Sequence, residues 1–229
     1  NRQVIEKKIL HNFGLNIKAK DKTKYSFLPS PRINLYNAEI FSFSGGQNKI
    51  GSAEKITLRI PFKKLVNLQK LNFYSVELFN AKINVKSSAI KDFYKYIKND
   101  KHKNPIQFTK SKINFLNKEK LVLSLDIKKL DILNEDLINK IRFTGEAFNS
   151  EIKIEYQHSN LNKRPTSIVT ISFPEIGIRL NSNINFDKKD KIYYGKTRVL
   201  YPKNQFYFEH KLKKKVLSIY NSNIVNNSF

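Results

Sequence analysis

The sequence predicts a mostly β protein, an antiparallel meander with two short α-helices in its N-terminal half, whose alternation fits a long, twisted sheet with an open groove and a packed sandwich alike. Three observations predict it. Apolar residues recur at every second position in short runs, the spacing that collects them on one face of a strand. The runs are bounded by Asn, Asp, Lys or Gly, as successive hairpins require. Helical spacing replaces the alternation in only two substantial segments, both before residue 100.

The first of these places Ile5, Ile9 and Phe13 four residues apart with Lys7 and Lys8 turned away, and Gly14 follows as a stop. A helix over 2–13 is expected. Period two begins in Lys24 to Leu28 and resumes in Ile33, Leu35 and on to Ile40, around a bend marked by Pro29 and Pro31. Gly45 and Gly46 supply a turn, and Ala53 to Ile60 reads as the next strand, with Ile56, Leu58 and Ile60 alternating against Lys55, Thr57 and Arg59. Pro61 suits the start of a short helical turn through Leu65 and Val66. Leu71, Phe73, Val76, Leu78, Ile83 and Val85 carry an alternating run to Lys86, read as two strands.

Ser88 is the expected N-cap of a second helix over 88–98, in which Ile90, Phe93, Tyr94 and Ile97 fall at i, i+3, i+4 and i+7. The polar stretch from Lys98 to Asn104 reads as an exposed loop. It divides a helix-plus-sheet region, 1–98, from a meander over 105–229 that continues the sheet. The second part holds only short alternating runs, among them Ile113 and Phe115; Leu121, Leu123, Leu125 and Ile127; Ile141 and Phe143; Ile152, Ile154 and Tyr156; Val169, Ile171 and Phe173; Ile176, Ile178 and Leu180; Ile184 and Phe186; and Phe206, Phe208 and Leu212. One helical turn is expected around Asn134 to Leu137.

Hydrophobic residues at 40% and aromatics at 12% give the chain enough apolar surface to fold despite 27% charge. Lys and Arg total 43 against 19 Asp and Glu, a formal net charge of +24, so a partner surface is expected to be anionic: nucleic acid, lipid headgroups or acidic glycan. The Lys residues are scattered through every segment, so coding bias with solvated strand faces explains the same number. With no Cys, disulfides and thiolate chemistry are excluded. With no Met and Asn at position 1, the chain is expected to be a fragment or a processed product. No run of about 18 apolar residues is present.

No catalytic residue, cofactor or metal is expected. His11, His102, His158 and His210 lack companions at metal-ligand spacing. Gly45-Gly46 belongs to no phosphate-binding pattern, no Ser sits in a nucleophile elbow, and Glu135-Asp136 lies among polar turn residues. Aromatics beside Lys, as in Phe93-Tyr94-Lys95-Tyr96 and Tyr193-Tyr194-Gly195-Lys196, could stack bases. Phe93 and Tyr94 are better read as the buried face of the second helix, and nucleic acid is not expected as a partner.

Three stretches carry a resemblance. Tyr25-Ser26-Phe27-Leu28-Pro29-Ser30-Pro31-Arg32-Ile33-Asn34-Leu35 is followed by Ala38-Glu39-Ile40; then come Ala53-Glu54-Lys55-Ile56-Thr57-Leu58-Arg59-Ile60 with Pro61 to Leu71; and Glu77-Leu78-Phe79-Asn80-Ala81-Lys82-Ile83-Asn84-Val85 closes the series. In this order they resemble the start of AsmA-type bacterial envelope proteins, over residues 1–86, with a looser match beyond at Phe143-Thr144-Gly145-Glu146-Ala147-Phe148. The resemblance implies a β-rich periplasmic region, related in shape to chorein-like bridge proteins, anchored to the inner membrane by a helix outside this chain. It also implies phospholipid acyl chains and envelope proteins as partners, and a role in lipid transport or outer-membrane homeostasis. The residues expected to line a lipid groove are Ile113, Phe115, Leu121, Leu123, Leu125, Ile141, Phe143, Ile152 and Ile154. A packed core writes the same alternation, and a scaffolding domain that binds a partner through sheet edges is the competing reading.

Overall fold

The computed structural model describes residues 2–41, 48–62, 72–97, 104–135, 138–160, 165–202, 204–214 and 216–226. Helix α1 (Arg2–Phe13) buries Ile5, Ile9 and Phe13, the three residues spaced for one face. Gly14, at φ 61, ends it with its N–H donating to the Leu10 carbonyl at 2.9 Å. Strands β1 (Ile17–Ala19), β2 (Lys24–Ser26) and β3 (Arg32–Phe41) follow, β2 and β3 pairing antiparallel around a bend with a cis Leu28–Pro29 peptide. After β4 (Lys49–Arg59) and β5 (Ser75–Lys86), a 3-10 turn (Ser87–Ala89) leads into α2 (Ile90–Ile97). The rest is strand after strand: β6 (Ile106–Asn117), β7 (Lys120–Glu135), β8 (Ile138–Ala147), β9 (Ser150–Ser159), β10 (Thr166–Phe173), β11 (Ile178–Asp187), β12 (Ile192–Tyr201), β13 (Asn204–Lys213) and β14 (Val216–Asn226).

Among the described residues, fourteen strands join one open sheet, in the order β1-β3-β4 and then consecutively to β14, with β2 paired beside β1 on β3. Every pair is antiparallel except β5–β6, which is parallel. The exception follows from the connection: a hairpin loop can only reverse the chain, whereas the segment carrying α2 is long enough to return it to the same end.

A crease crosses the sheet. In β3 the inward residues step from Leu35 to Ala38, three positions instead of two, and the same step occurs from Leu78 to Ala81 in β5, Phe108 to Ser111 in β6 and Ile127 to Leu130 in β7. The inserted residues Asn37, Asn80 and Lys110 each have φ 48. Because neighbouring strands carry the insertion at the same level, pairing resumes in register: Tyr36 and Ala38 oppose Lys55 and Ala53, which oppose Phe79 and Ala81. The crease stops at β8, which has no extra residue; there the register slips between Ile127 and Lys129. Gly145 sits at that slip, where a Cβ would lie 2.1 Å from the Asp126 carbonyl oxygen.

Several expectations are corrected. Of the run from Leu71 to Lys86, the described residues hold one strand, β5, bent at Asn80; the odd step there looks like a strand break to a period-two reading. Ser88 caps no helix: it lies inside the 3-10 turn, whose N-cap is Lys86. Asn134 and Glu135 finish β7 and form no helical turn. Ile176 belongs to a 3-10 turn, and Ile178 to Phe186 form one strand. Strands β1 (Ile17–Ala19), β12 (Ile192–Tyr201) and β14 (Val216–Asn226) are additions to the expected set. Gly45, Gly46, Leu65, Val66 and Leu71 lie outside the described residues.

The apolar side chains of α1, Leu15, Tyr96 of α2 and the inward faces of β1 and β3 to β9 form one buried cluster. The helices are tied together by the buried Tyr96 hydroxyl, which donates to the Phe13 carbonyl at 2.8 Å. Burial pushes that phenol far above its ordinary pKa. Leu35, Ile56 and Leu78 are fully buried, and burial fades along the sheet. No second sheet covers it among the described residues.

Candidate functional site

The strand registers line up the inward side chains across the sheet. One row runs Leu35, Ile56, Leu78, Phe108, Leu130, Phe143, Ile154, Ile171, Leu180, Val199, Phe206 and Ile224, one residue from each strand of β3 to β14. At about 4.8 Å between strands, its eleven steps span about 53 Å. The row is perpendicular to the strands, so it is a product of register and not of any local motif.

A parallel row, Ile33, Leu58, Val76, Ile106, Ile132, Ile141, Tyr156 and Val169, runs beside it and becomes polar at Ser182 and Thr197. These two hydroxyls hydrogen-bond each other at 2.9 Å, and Thr197 Oγ1 lies 3.3 Å from His210 Nδ1. Burial lowers the pKa of His210 below its ordinary value. Among the described residues, the inward positions of β3 to β14 hold no Asp, Glu, Lys or Arg.

The charge is on the reverse face. Lys112 pairs with Asp126 at 2.8 Å, Lys128 with Glu146 at 3.4 Å and Lys196 with Glu209 at 2.9 Å, all substantially solvated except the Glu209 end. Glu39 accepts from Lys49 at 2.7 Å and Lys20 at 3.0 Å, and these hydrogen bonds hold its carboxyl down at about 2.

The sheet gathers the nine residues expected to line a groove on one contiguous patch of the inward face of β6 to β9. Ile113 opposes Leu125, Phe115 opposes Leu123 and Phe143 opposes Ile154. Their environments differ. Ile113, Phe143 and Ile152 are buried; Phe115, Leu123, Leu125, Ile141 and Ile154 are half-buried against the core; Leu121, near a hairpin tip, is exposed. Phe93 of α2 packs edge-on against Phe115, ring centroids 6.3 Å apart, so this end of the face has a cover.

The open part of the face lies farther along, outside the nine expected residues. Phe206 is 44% exposed, and Leu217, Ile219 and Ile224 are each 58% exposed. Leu217 and Ile219 alternate, but a bulge at Asn221, φ 49, changes the phase, so that the next inward apolar residue is Ile224 and the period is hidden.

No family model and no curated protein matches this sequence. Among the described residues, no group of acidic, His or Cys side chains could hold a metal, and no helix is long and apolar enough to cross a membrane.

Proposed function

We propose that the inward face of the sheet is a track for lipid acyl chains, and that the chain is a non-enzymatic part of an AsmA-like envelope protein acting in phospholipid transport or outer-membrane homeostasis. The observation that carries the reading is the uninterrupted apolar row from Leu35 to Ile224, free of charge along its length and uncovered toward β14. Acyl chains suit such a surface because they need apolar contact without directional partners. Seating a dozen methylenes contributes about 10 kcal/mol before ordering costs, at about 0.8 kcal/mol each. The segregated Lys-rich face suits anionic headgroups or an anionic membrane surface nearby.

The test is native mass spectrometry with lipid extraction on protein purified from a bacterial host. Leu180→Asp and Phe206→Asp, on the open face, should each strip co-purified phospholipid, while Asn183→Asp on the reverse face should retain it. Circular dichroism establishes that the variants are folded. Lipid-free wild-type protein, or equal loss in all three variants, refutes the track.

A further inference from the structure

Register gathers a second feature on the inward face. Five successive strands each place an uncharged polar side chain there: His158 on β9, Ser167 on β10, Ser182 on β11, Thr197 on β12 and His210 on β13. Consecutive members stand directly opposite or one diagonal apart, so they form a stripe across the strands. His158 Nδ1 and Ser167 Oγ are 2.8 Å apart, and the Ser182–Thr197–His210 chain continues the contacts. That chain holds at least three protons, one on each hydroxyl and one or two on the ring, and its two hydrogen bonds use two of them. Whichever way the bonds run, at least one donor is left over, and these three side chains form no further hydrogen bond among the described residues. Ser182 and Thr197 are buried and His210 is half-buried, so the ring is where an occupant reaches the chain. Gly195 opposes it: a Cβ there would stand 3.1 Å from His210 Cε1, so the imidazole uses space that a side chain would fill.

What flanks the stripe differs from side to side. Toward one margin lie Leu180, Val199 and Phe206, then Ile176 and Tyr201, exposed at the strand ends. Toward the other lies the ring pair of Phe186 and Tyr193, centroids 4.6 Å apart, and then the hairpins after β11 and β13. There Lys188, Lys189, Lys191, Lys213 and Lys214 are exposed and form no ion pair among the described residues. The two acids of the first hairpin are Asp190 and Asp187, which caps the turn by accepting from the Lys189 N–H at 2.8 Å. Apolar rows, hydrogen-bond donors, aromatic rings and lysines follow one another in the order that an anionic amphiphile meets them at a bilayer surface.

We propose that the stripe seats the ester carbonyls of a diacyl glycerophospholipid with an anionic head, extended along the strands with its tails over the apolar rows and its head toward the lysine hairpins. The inference rests on the lipid reading above and adds to it an orientation and a linkage. An ester carbonyl accepts and never donates, which matches a face with a surplus donor and no charge. A phosphate in that place would be buried without a cation to meet it, whereas nearer the hairpins it meets lysines. Length agrees: from Thr197 to Tyr201 and from His158 to Ile152 the face runs about 13 and about 20 Å, at about 3.4 Å per residue. Half the hydrocarbon core of a bilayer, the depth of one layer of tails, is about 15 Å.

Competition between two vesicle-borne lipids tests it on the full chain. Dioleoyl phosphatidylglycerol and its diether analogue, identical in head and chain length, are offered in equal amounts, and bound lipid is read by native mass spectrometry. The ester lipid should be retained about fivefold or more over the ether, since a site that donates to a ligand oxygen disfavours the analogue lacking it. His210→Phe keeps a ring and removes the donor, and should bring that ratio to about one. Lys188→Glu combined with Lys213→Glu should erase the preference for phosphatidylglycerol over phosphatidylcholine. Equal retention of ester and ether lipid by the wild-type chain overturns the seat while the lipid track stands. So does an ester preference that survives both His210→Phe and Ser182→Ala. Retention of neither lipid overturns the track and the seat with it. Circular dichroism checks each variant, and the wild-type ratio decides the matter if one does not fold.

Discussion

Gly145→Ala should loosen the sheet locally and nowhere else. A Cβ at this position would stand 2.1 Å from the Asp126 carbonyl oxygen and 2.9 Å from the Phe143 ring, against an ordinary contact of 3.4 Å or more. The ring can turn, but the carbonyl belongs to the β7 backbone, so β7 and β8 must part by about 1 Å. Separation on that scale forfeits about two ladder hydrogen bonds at about 1 kcal/mol each and some packing of Phe143, for a cost of about 2–3 kcal/mol. In a closed globule that cost would lower the stability of everything. Here each strand leans chiefly on its two neighbours, so the energetics approach those of a linear array of coupled units. Native-state hydrogen exchange should therefore show β7 and β8 amides exchanging about 30- to 150-fold faster, with β12 to β14 unchanged. An unchanged β7–β8 pair would refute the steric argument, and a uniform loss across all strands would refute the local one.

Three further outcomes follow from named contacts. Asn80→Val places a β-branched residue at φ 48 and should cost about 1–2 kcal/mol by urea denaturation, whereas Asn80→Gly should be close to neutral. Tyr96→Phe leaves the Phe13 carbonyl buried without its donor and should cost about 1–3 kcal/mol, with α1 amides losing protection first. Glu39 has its carboxyl pKa lowered from 4.5 to about 2, so its contribution to stability is present above pH 4.5 and fades as pH falls toward 2. Its carboxyl carbon shift, followed by NMR, should titrate near 2 and move back toward 4.5 when Lys20 and Lys49 are both replaced by Ala.

What the sequence makes legible is whatever has a local period. Ile5, Ile9 and Phe13 announce α1, and alternation announces most strands, because a half-wetted sheet sorts side chains at every second position. β1 escapes such reading because three residues hold no period. β5 was divided because the insertion at Asn80 changes the phase of an otherwise continuous strand. The parallel β5–β6 pair was hidden for another reason: alternation is the same in both directions, and only the length of the α2 connection distinguishes them. The candidate face shows the same boundary. Its membership is local, and Phe115, Leu123 and Ile154 could be named from sequence alone. What covers it is not local: Ile113 and Phe206 both stand in alternating runs, yet one is 3% exposed and the other 44%.

The sorting of charge to one side of a single-layer sheet also bears on how the protein stays dispersed. An apolar expanse of this extent would draw molecules into face-to-face piles in any neutral protein. The lysines behind it give each molecule a long-range repulsion that acts before the apolar faces can meet, and that repulsion reaches about 30 Å in dilute salt but only about 3 Å near 1 M. Ionic strength thus becomes the control on colloidal behaviour: the reverse face, which touches none of the apolar row, sets the conditions under which that row remains available to anything else.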